Sequence, residues 1–353
     1  MFQVRPTQLA RLALPALLAA VAAGCGVQAA PNADVLKIGA YSVVREVFHE
    51  ALLPAFAKKW KAETGRELYF EESYSASGAQ ARSIASGFDA DLAVLSHSGD
   101  MKLLVDAGKV EPGWDAGPDR GVLTHSLVVI GHRPGNPKSV HDWADLAKPG
   151  VAVLYPDPKT SGGARWNVNA IYGAALLRAR EANPENPDLA PVRELLAGVQ
   201  GNVVNMDHSG RRSMANFSEQ HTGDVVVTYE NELRLRAKEG DPIPYVVPPA
   251  TLLIESPAAI VEKSVARHGN RAVVEAFLKF LRSPEGQAIF TEYGFRPINP
   301  TSESESKTAD WPRPQTVFTV ADLGGWEKVR KELYAADGLW TTIAAERVRN
   351  RGK

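Results

Sequence analysis

Short apolar runs bounded by turn residues alternate along this chain with segments whose apolar positions recur at helical spacing. That alternation predicts strand followed by helix. Residues 35–42, "VLKIGAYS", read as the first strand. Val44, Phe48, Leu52, Phe56 and Trp60 then fall on one helical face, with Pro54 kinking or restarting the helix. Residues 67–78 ("ELYFEESYSASG") and 91–96 ("DLAVLS") repeat the unit, and 124–137 form an apolar strand that ends in turn residues and crosses into a second lobe. There the pattern recurs at 150–158, 201–210 and 223–232, and 252–263 carry the chain back. "RAVVEAFLKFLRSPEGQAIF" reads as a helix pair broken near Ser283 and Pro284, and the tail from about 303 is expected to pack as helices on the first lobe. The pattern predicts an α/β chain of two lobes, each a mainly parallel sheet flanked by helices.

The strand ends share a device. Ser42 follows the first strand. Ser77 follows the second, with Gln80 three residues on, the spacing of a capping box. In the second lobe Ser161, Gly162 and Gly163 stand at one helix start, and Ser209 and Gly210 at another. A helix start carries unpaired N–H groups and the positive end of the helix dipole, so it binds anions without a side-chain cation. In open α/β sheets such junctions lie at the carboxyl ends of strands, where ligands bind. The same residue types are also ordinary helix caps, so spacing alone leaves both readings open.

Composition narrows the field. The 353 residues are 44% hydrophobic and 23% charged, which suits a globular chain long enough for two domains. A formal charge of −1 and the lack of a basic cluster argue against nucleic acid as a partner. The N-terminus changes the picture more. Arg5 and Arg11 precede an apolar run from Leu12 to Gly24, too short to span a membrane, and this reads as a secretory signal peptide over 1–24. Cys25 is the single cysteine, so no disulfide framework is expected. "AAGC" (22–25) resembles a bacterial lipobox with Cys25 as the lipid-modified first mature residue; cleavage near 29–30 is the alternative. Residues 25–34 are then a linker.

Enzyme signatures are missing. "SASG" lacks the first glycine of a nucleophile elbow, the eight histidines show no metal-ligand spacing, and "KTSGGARW" is not a Walker sequence. A secreted hydrolase using one of the serines remains the rival class.

At "PKTSGGARWN" (158–167), "GDVVVTYENE" (223–232) and "FLRSPEGQ" (280–287), the chain resembles the periplasmic sulfate- and thiosulfate-binding proteins of bacterial ABC importers. "WKAETG", "GNPKSVHDWADLAKPGV" and "FRPINP" sit in family order as well, so the resemblance runs through nearly the whole mature chain. It implies a type II periplasmic-binding-protein fold, with 35–127 plus 256–353 as lobe 1 and 128–255 as lobe 2. It implies no cofactor, a small inorganic oxyanion in the interlobe cleft, ABC permease subunits as partners, a monomer, and a periplasmic location with membrane attachment only through a lipid anchor. Carried over by motif, the ligand donors are Ser42, Ser77, Ser161, Gly162, Gly163, Gly210 and Tyr229. Two positions depart from the family: Ser42 stands where it usually has aspartate, and Tyr229 where it usually has tryptophan. A phenol both donates and accepts, whereas an indole only donates. Molybdate, tungstate, phosphate and small sulfonates therefore remain alternative ligands. The nearest acids to the junctions are Asp157, Asp207 and Glu230. Arg165 is expected as a helix-side partner and Trp166 as packing.

Overall fold

The computed structural model describes residues 33–351. The expected signal peptide and Cys25 lie outside the described residues. Among the described residues ten strands join in one sheet, eight of them in the path β2-β1-β3-β9-β4-β7-β5-β6, with β10 beside β9 and β8 beside β4. Strand β1 (Ala33–Tyr41) runs parallel to β2 (Glu67–Ser75) and β3 (Leu92–Val94), and these make the first lobe's sheet. In the second lobe β5 (Val153–Leu154) is parallel to β6 (Val203–Asn205) and β7 (Val225–Tyr229). Two long antiparallel strands join the lobes: β4 (Val122–His132) and β9 (Ala250–Ile260), with Ser126 opposite Ile254. Strand β9 also pairs with β3, and β4 with β7, so each crossing strand is stitched into one lobe's sheet. The short β8 (Tyr245–Val246) and β10 (Thr316–Phe318) complete the set.

Local sequence explains the main helices. After β1 the chain makes a 3-10 turn at Ser42–Val44 and a π-helical turn at Val47–Leu52, then continues as α1 (Leu53–Thr64) with Pro54 in its first turn. The run is continuous, the Leu53 N–H reaching the Phe48 carbonyl five residues back, so the π-helical turn is the irregularity at which the helix accommodates the N–H that Pro54 lacks. Val44, Phe48, Leu52 and Phe56 are buried as expected; Trp60 is half-buried and donates from Nε1 to Asp34 at 2.8 Å. Helices α2 (Ser77–Ala85), α3 (Ser98–Asp106), α4 (Gly162–Ala182), α5 (Ala190–Asn202), α6 (Gly210–Ser218) and α7 (Glu230–Lys238) follow strands or close crossovers. Helices α8 (Glu262–His268), α9 (Arg271–Arg282) and α10 (Pro284–Glu292) return to the first lobe, and Ser283 caps α10 at the expected break by accepting from the Gly286 N–H at 3.2 Å. Phe277 of α9 packs against Phe56 at 4.9 Å between ring centroids and edge-on against Phe48 at 6.1 Å. Each such ring contributes about 1.5–3 kcal/mol by burial, so this aromatic cluster anchors the first lobe.

The tail meets the expectation only in part. Helix Ser302–Lys307 packs on α10, and Trp326 of the short helix Gly325–Val329 stacks on His97, both in the first lobe as expected, whereas the terminal helix Leu339–Arg351 packs on α5 of the second lobe. Tyr334 donates to Asn169 Oδ1 at 2.7 Å, Trp340 donates to the Tyr155 hydroxyl at 3.3 Å, and Arg193 pairs with Glu346 at 2.9 Å. The reason is apolar demand. Tyr155 and Val192 lie within a core that Trp340 and Ile343 help to close, and polar periodicity in the tail does not reveal that destination.

Candidate functional site

The junctions singled out in the sequence converge. Ser42, Ser77, Ser161, Gly163, Gly210 and Tyr229 line one cavity of about 20 Å³ between the lobes. Sites for drug-sized molecules measure ~300–1,000 Å³, so this one suits a small inorganic group. A groove of about 770 Å³ beside Arg234, Tyr245 and Trp311 is much larger, but no helix start opens into its lining. Around the small cavity, the first turns of α2, α4 and α6 supply N–H groups that have no carbonyl partner within their own helices. Ser161 caps α4, its hydroxyl accepting from the Ala164 N–H at 3.4 Å, and Ser209 caps α6, accepting from Arg212 N–H at 3.3 Å. A Cβ at Gly163 would lie 3.3 Å from Ser161 Oγ and 3.4 Å from the Tyr229 hydroxyl. Both hydroxyls therefore crowd over bare backbone.

Gly162 does not line the cavity, and its bareness has another cause. A Cβ there would come to 2.8 Å from Asp100 Oδ2 and 3.0 Å from Ser77 Cβ. The residue lets the first lobe close against the start of α4.

Ser77 also differs from expectation. It is the first residue of α2 and not its cap, so no capping box with Gln80 forms; Gln80 Oε1 instead accepts from Ser75 at 2.9 Å. The Ser77 hydroxyl donates to Asp100 Oδ2 at 2.6 Å and accepts from the Ser96 N–H at 2.9 Å. A carboxylate is a stronger acceptor than a neutral group, so what Ser77 offers the cavity is its backbone N–H. Asp100 is buried. His97 at the start of α3 accepts from the Asp100 N–H through Nδ1 at 3.1 Å and stacks on Trp326 at 4.1 Å. Burial, against the pull of Asp100, lowers the His97 imidazole to about 4, which keeps it neutral near pH 7. Arg165 sits 3.8 Å from Asp100 Oδ1 and donates to the Pro158 carbonyl, a helix-side partner as expected.

The expected nearby acids serve structure. Asp157 accepts from the Lys159 N–H, Asp207 from Ser213 and Asn216, and Glu230 pairs with Arg296 at 2.6 Å. The acid on the cavity wall is Glu232, which the sequence did not single out. It is buried, neither of its carboxylate oxygens has a hydrogen-bond partner among the described residues, and Arg211 Nη2 stands 3.6 Å from Oε1. Burial raises its carboxyl above the usual range, opposed by Arg211. Arg211 in turn pairs across the lobes with Glu46. Asn167 adds a second acceptor to the wall: its Nδ2 donates to the Val227 carbonyl at 2.8 Å, leaving Oδ1 without a partner among the described residues. Ser96 was missed too, because one serine in "LSHS" has no spacing signal. Its N–H reaches the Ser77 hydroxyl only once β3 lies beside β1.

Comparison with known proteins follows the same lines. The sequence profile of the bacterial extracellular solute-binding proteins matches residues 47–296. The chain belongs to that family. A sulfate-binding protein of Synechococcus elongatus is 38% identical over 87% of this chain and 86% of its own length. The thiosulfate-binding protein of Pseudomonas aeruginosa is 35% identical over 94% of this chain and 98% of its own. Among solved structures, the sulfate-binding protein SubI from Mycobacterium tuberculosis is 35% identical, with a TM-score of 0.74 over 85% of this chain and 99% of that one. A ferric binding protein from Campylobacter jejuni, 16% identical with a TM-score of 0.58, shares the fold. The fold is the two-lobed type II arrangement of periplasmic binding proteins. The similar proteins are named for binding, not for catalysis.

Proposed function

We propose that this chain is the periplasmic receptor of an ABC importer and captures sulfate, thiosulfate or a close tetrahedral oxyanion between its lobes. The observation that carries this reading is the convergence of the α2, α4 and α6 starts, with the Ser161 and Tyr229 hydroxyls, on one cavity of about 20 Å³. Oriented N–H groups in a site shielded from water hold an anion strongly without a contacting cation. The names of the most similar proteins agree with this ligand class. The ligand set proposed is Ser42, Ser77, Ser161, Gly163, Gly210 and Tyr229, with Gly162 shaping the approach of the lobes. Lobes parted near residues 127 and 256, where β4 and β9 cross, would close on the anion as a monomer and present the loaded form to permease subunits. Export through the N-terminal leader, with Cys25 as a candidate lipid anchor, would place the receptor at the inner membrane.

A second reading is favoured by one feature. Glu232 and Asn167 bring acceptors to the cavity wall, and a protonated oxyanion such as hydrogenphosphate needs an acceptor. Calorimetric titration of ligand-free protein with sulfate, thiosulfate, molybdate and phosphate separates these. One-to-one binding strongest for sulfate or thiosulfate supports the main reading. Strongest binding of phosphate moves the ligand, and turnover of a sulfate or phosphate ester would revive a hydrolase.

A further inference from the structure

A phenol on the wall of an anion site is ambiguous, because its oxygen both gives and takes hydrogen bonds. The surroundings of Tyr229 remove the ambiguity. The Tyr229 hydroxyl is 3.0 Å from Ser96 Oγ, and Trp166 Nε1 donates to the same Oγ at 3.0 Å as well as to the Ser96 carbonyl at 2.9 Å. Ser96, Trp166 and Tyr229 are all buried. An indole N–H can only donate, so Ser96 Oγ is an acceptor toward Trp166. The hydrogen of Ser96 then has the Tyr229 oxygen as its acceptor. Reversing the second bond would leave the Ser96 hydrogen without an acceptor among the described residues, at the cost of a buried unpaired donor. With the chain running Trp166 to Ser96 to Tyr229, the one unengaged hydrogen is that of Tyr229. The Tyr229 oxygen that carries it stands over Gly163 on the cavity wall, as does Ser161 Oγ.

We propose that Ser96 and Trp166 are positioning residues that lock Tyr229 as a hydrogen-bond donor, so that a phenol does here the work of an indole and selects the fully deprotonated oxyanion. Ser96 follows β3 in the first lobe, whereas Trp166 and Tyr229 belong to α4 and β7 in the second. The lock forms only when the lobes meet, and selectivity is read at closure. Burial, with the Tyr41 hydroxyl nearby, holds the Tyr229 phenol protonated throughout the neutral range, so the hydrogen is always there to be aimed. The inference rests on the oxyanion-receptor reading of this cavity.

Sulfate and phosphate affinities at neutral pH, measured by calorimetry, test it in a double-mutant cycle. Ser96→Ala and Trp166→Phe are each expected to weaken sulfate about tenfold in the otherwise unaltered protein. Each should have less than about a twofold effect when combined with Tyr229→Phe, which has no hydroxyl to orient. Ser96→Ala should also lower the sulfate-to-phosphate affinity ratio, whereas Ser96→Thr, which keeps the hydroxyl, should match the parent. Thermal melting of each ligand-free variant identifies any that fails to fold, and Ser96→Thr then carries the comparison with the parent. Equal losses with and without the Tyr229 hydroxyl, or an unchanged anion ratio, overturn the lock while leaving the receptor reading in place. Failure of the unaltered protein to bind either anion overturns both.

Discussion

Gly163 and Ser161 show how much of this site depends on single atoms. With Ser161 Oγ at 3.3 Å and the Tyr229 hydroxyl at 3.4 Å from a Cβ position on Gly163, there is no volume for a branched side chain beside a ligand. Gly163→Val is expected to lower sulfate affinity more than about 100-fold, checked by titration calorimetry, with far-UV circular dichroism unchanged. Ser161→Ala removes a hydroxyl from the wall and should weaken binding by about 1–3 kcal/mol in the same titration. Most of these residues were legible because serine and glycine at a strand-to-helix boundary leave a local mark. Glu232 was not: it sits inside "TYENE", one turn into a helix, where an acid looks solvated until β1 and α6 bury it. Ser77 was recognised for its place and mistaken in its chemistry, since Asp100 is distant in sequence and takes its hydroxyl.

At the scale of elements, caps and breaks were readable where their partners are local. Ser161, Ser209 and Ser283 all cap the helices expected of them, and Pro54 opens α1. The cap of α3 was not singled out, because it is the imidazole of His97, which also stacks on a tryptophan far along the chain. That cap has a consequence for acid stability. The native imidazole titrates near 4, below the ordinary 6.5, because burial disfavours its charged form. Between these values the unfolded chain binds a proton that the native chain refuses, so stability falls as pH drops from 6.5 toward 4. The loss amounts to about 3 kcal/mol for this one group. Urea unfolding of ligand-free protein at pH 7 and pH 4.5 should show His97→Gln losing less stability over that interval than the parent. His125, half-buried and lowered in the same direction, contributes to the slope that remains.

For the whole molecule, the parallel strands within each lobe followed from strand alternation, because a parallel sheet needs helical crossovers and leaves that rhythm in the sequence; the antiparallel pairing of the crossing strands did not. Contacts between lobes carried no such rhythm. Arg211 with Glu46 joins α6 to the turn after β1, and Glu46→Gln should weaken the closed form by about 0.5–1 kcal/mol because both groups retain some solvent. Small-angle scattering at saturating anion, together with the dissociation rate, checks this: the rate should rise about two- to fivefold with the same final shape. The tail held the largest surprise. After α10 the chain crosses again, so that Tyr334, Trp340 and Glu346 finish the surface of α4 and α5. A polypeptide leaves the ribosome from its N-terminus, and domains generally mature as their residues arrive. Here the second lobe is begun near the middle of the chain and closed only by helix Leu339–Arg351, while the first waits for α8 to α10. Neither half can become self-sufficient before these distant segments arrive, so both lobes stay unfinished through much of synthesis.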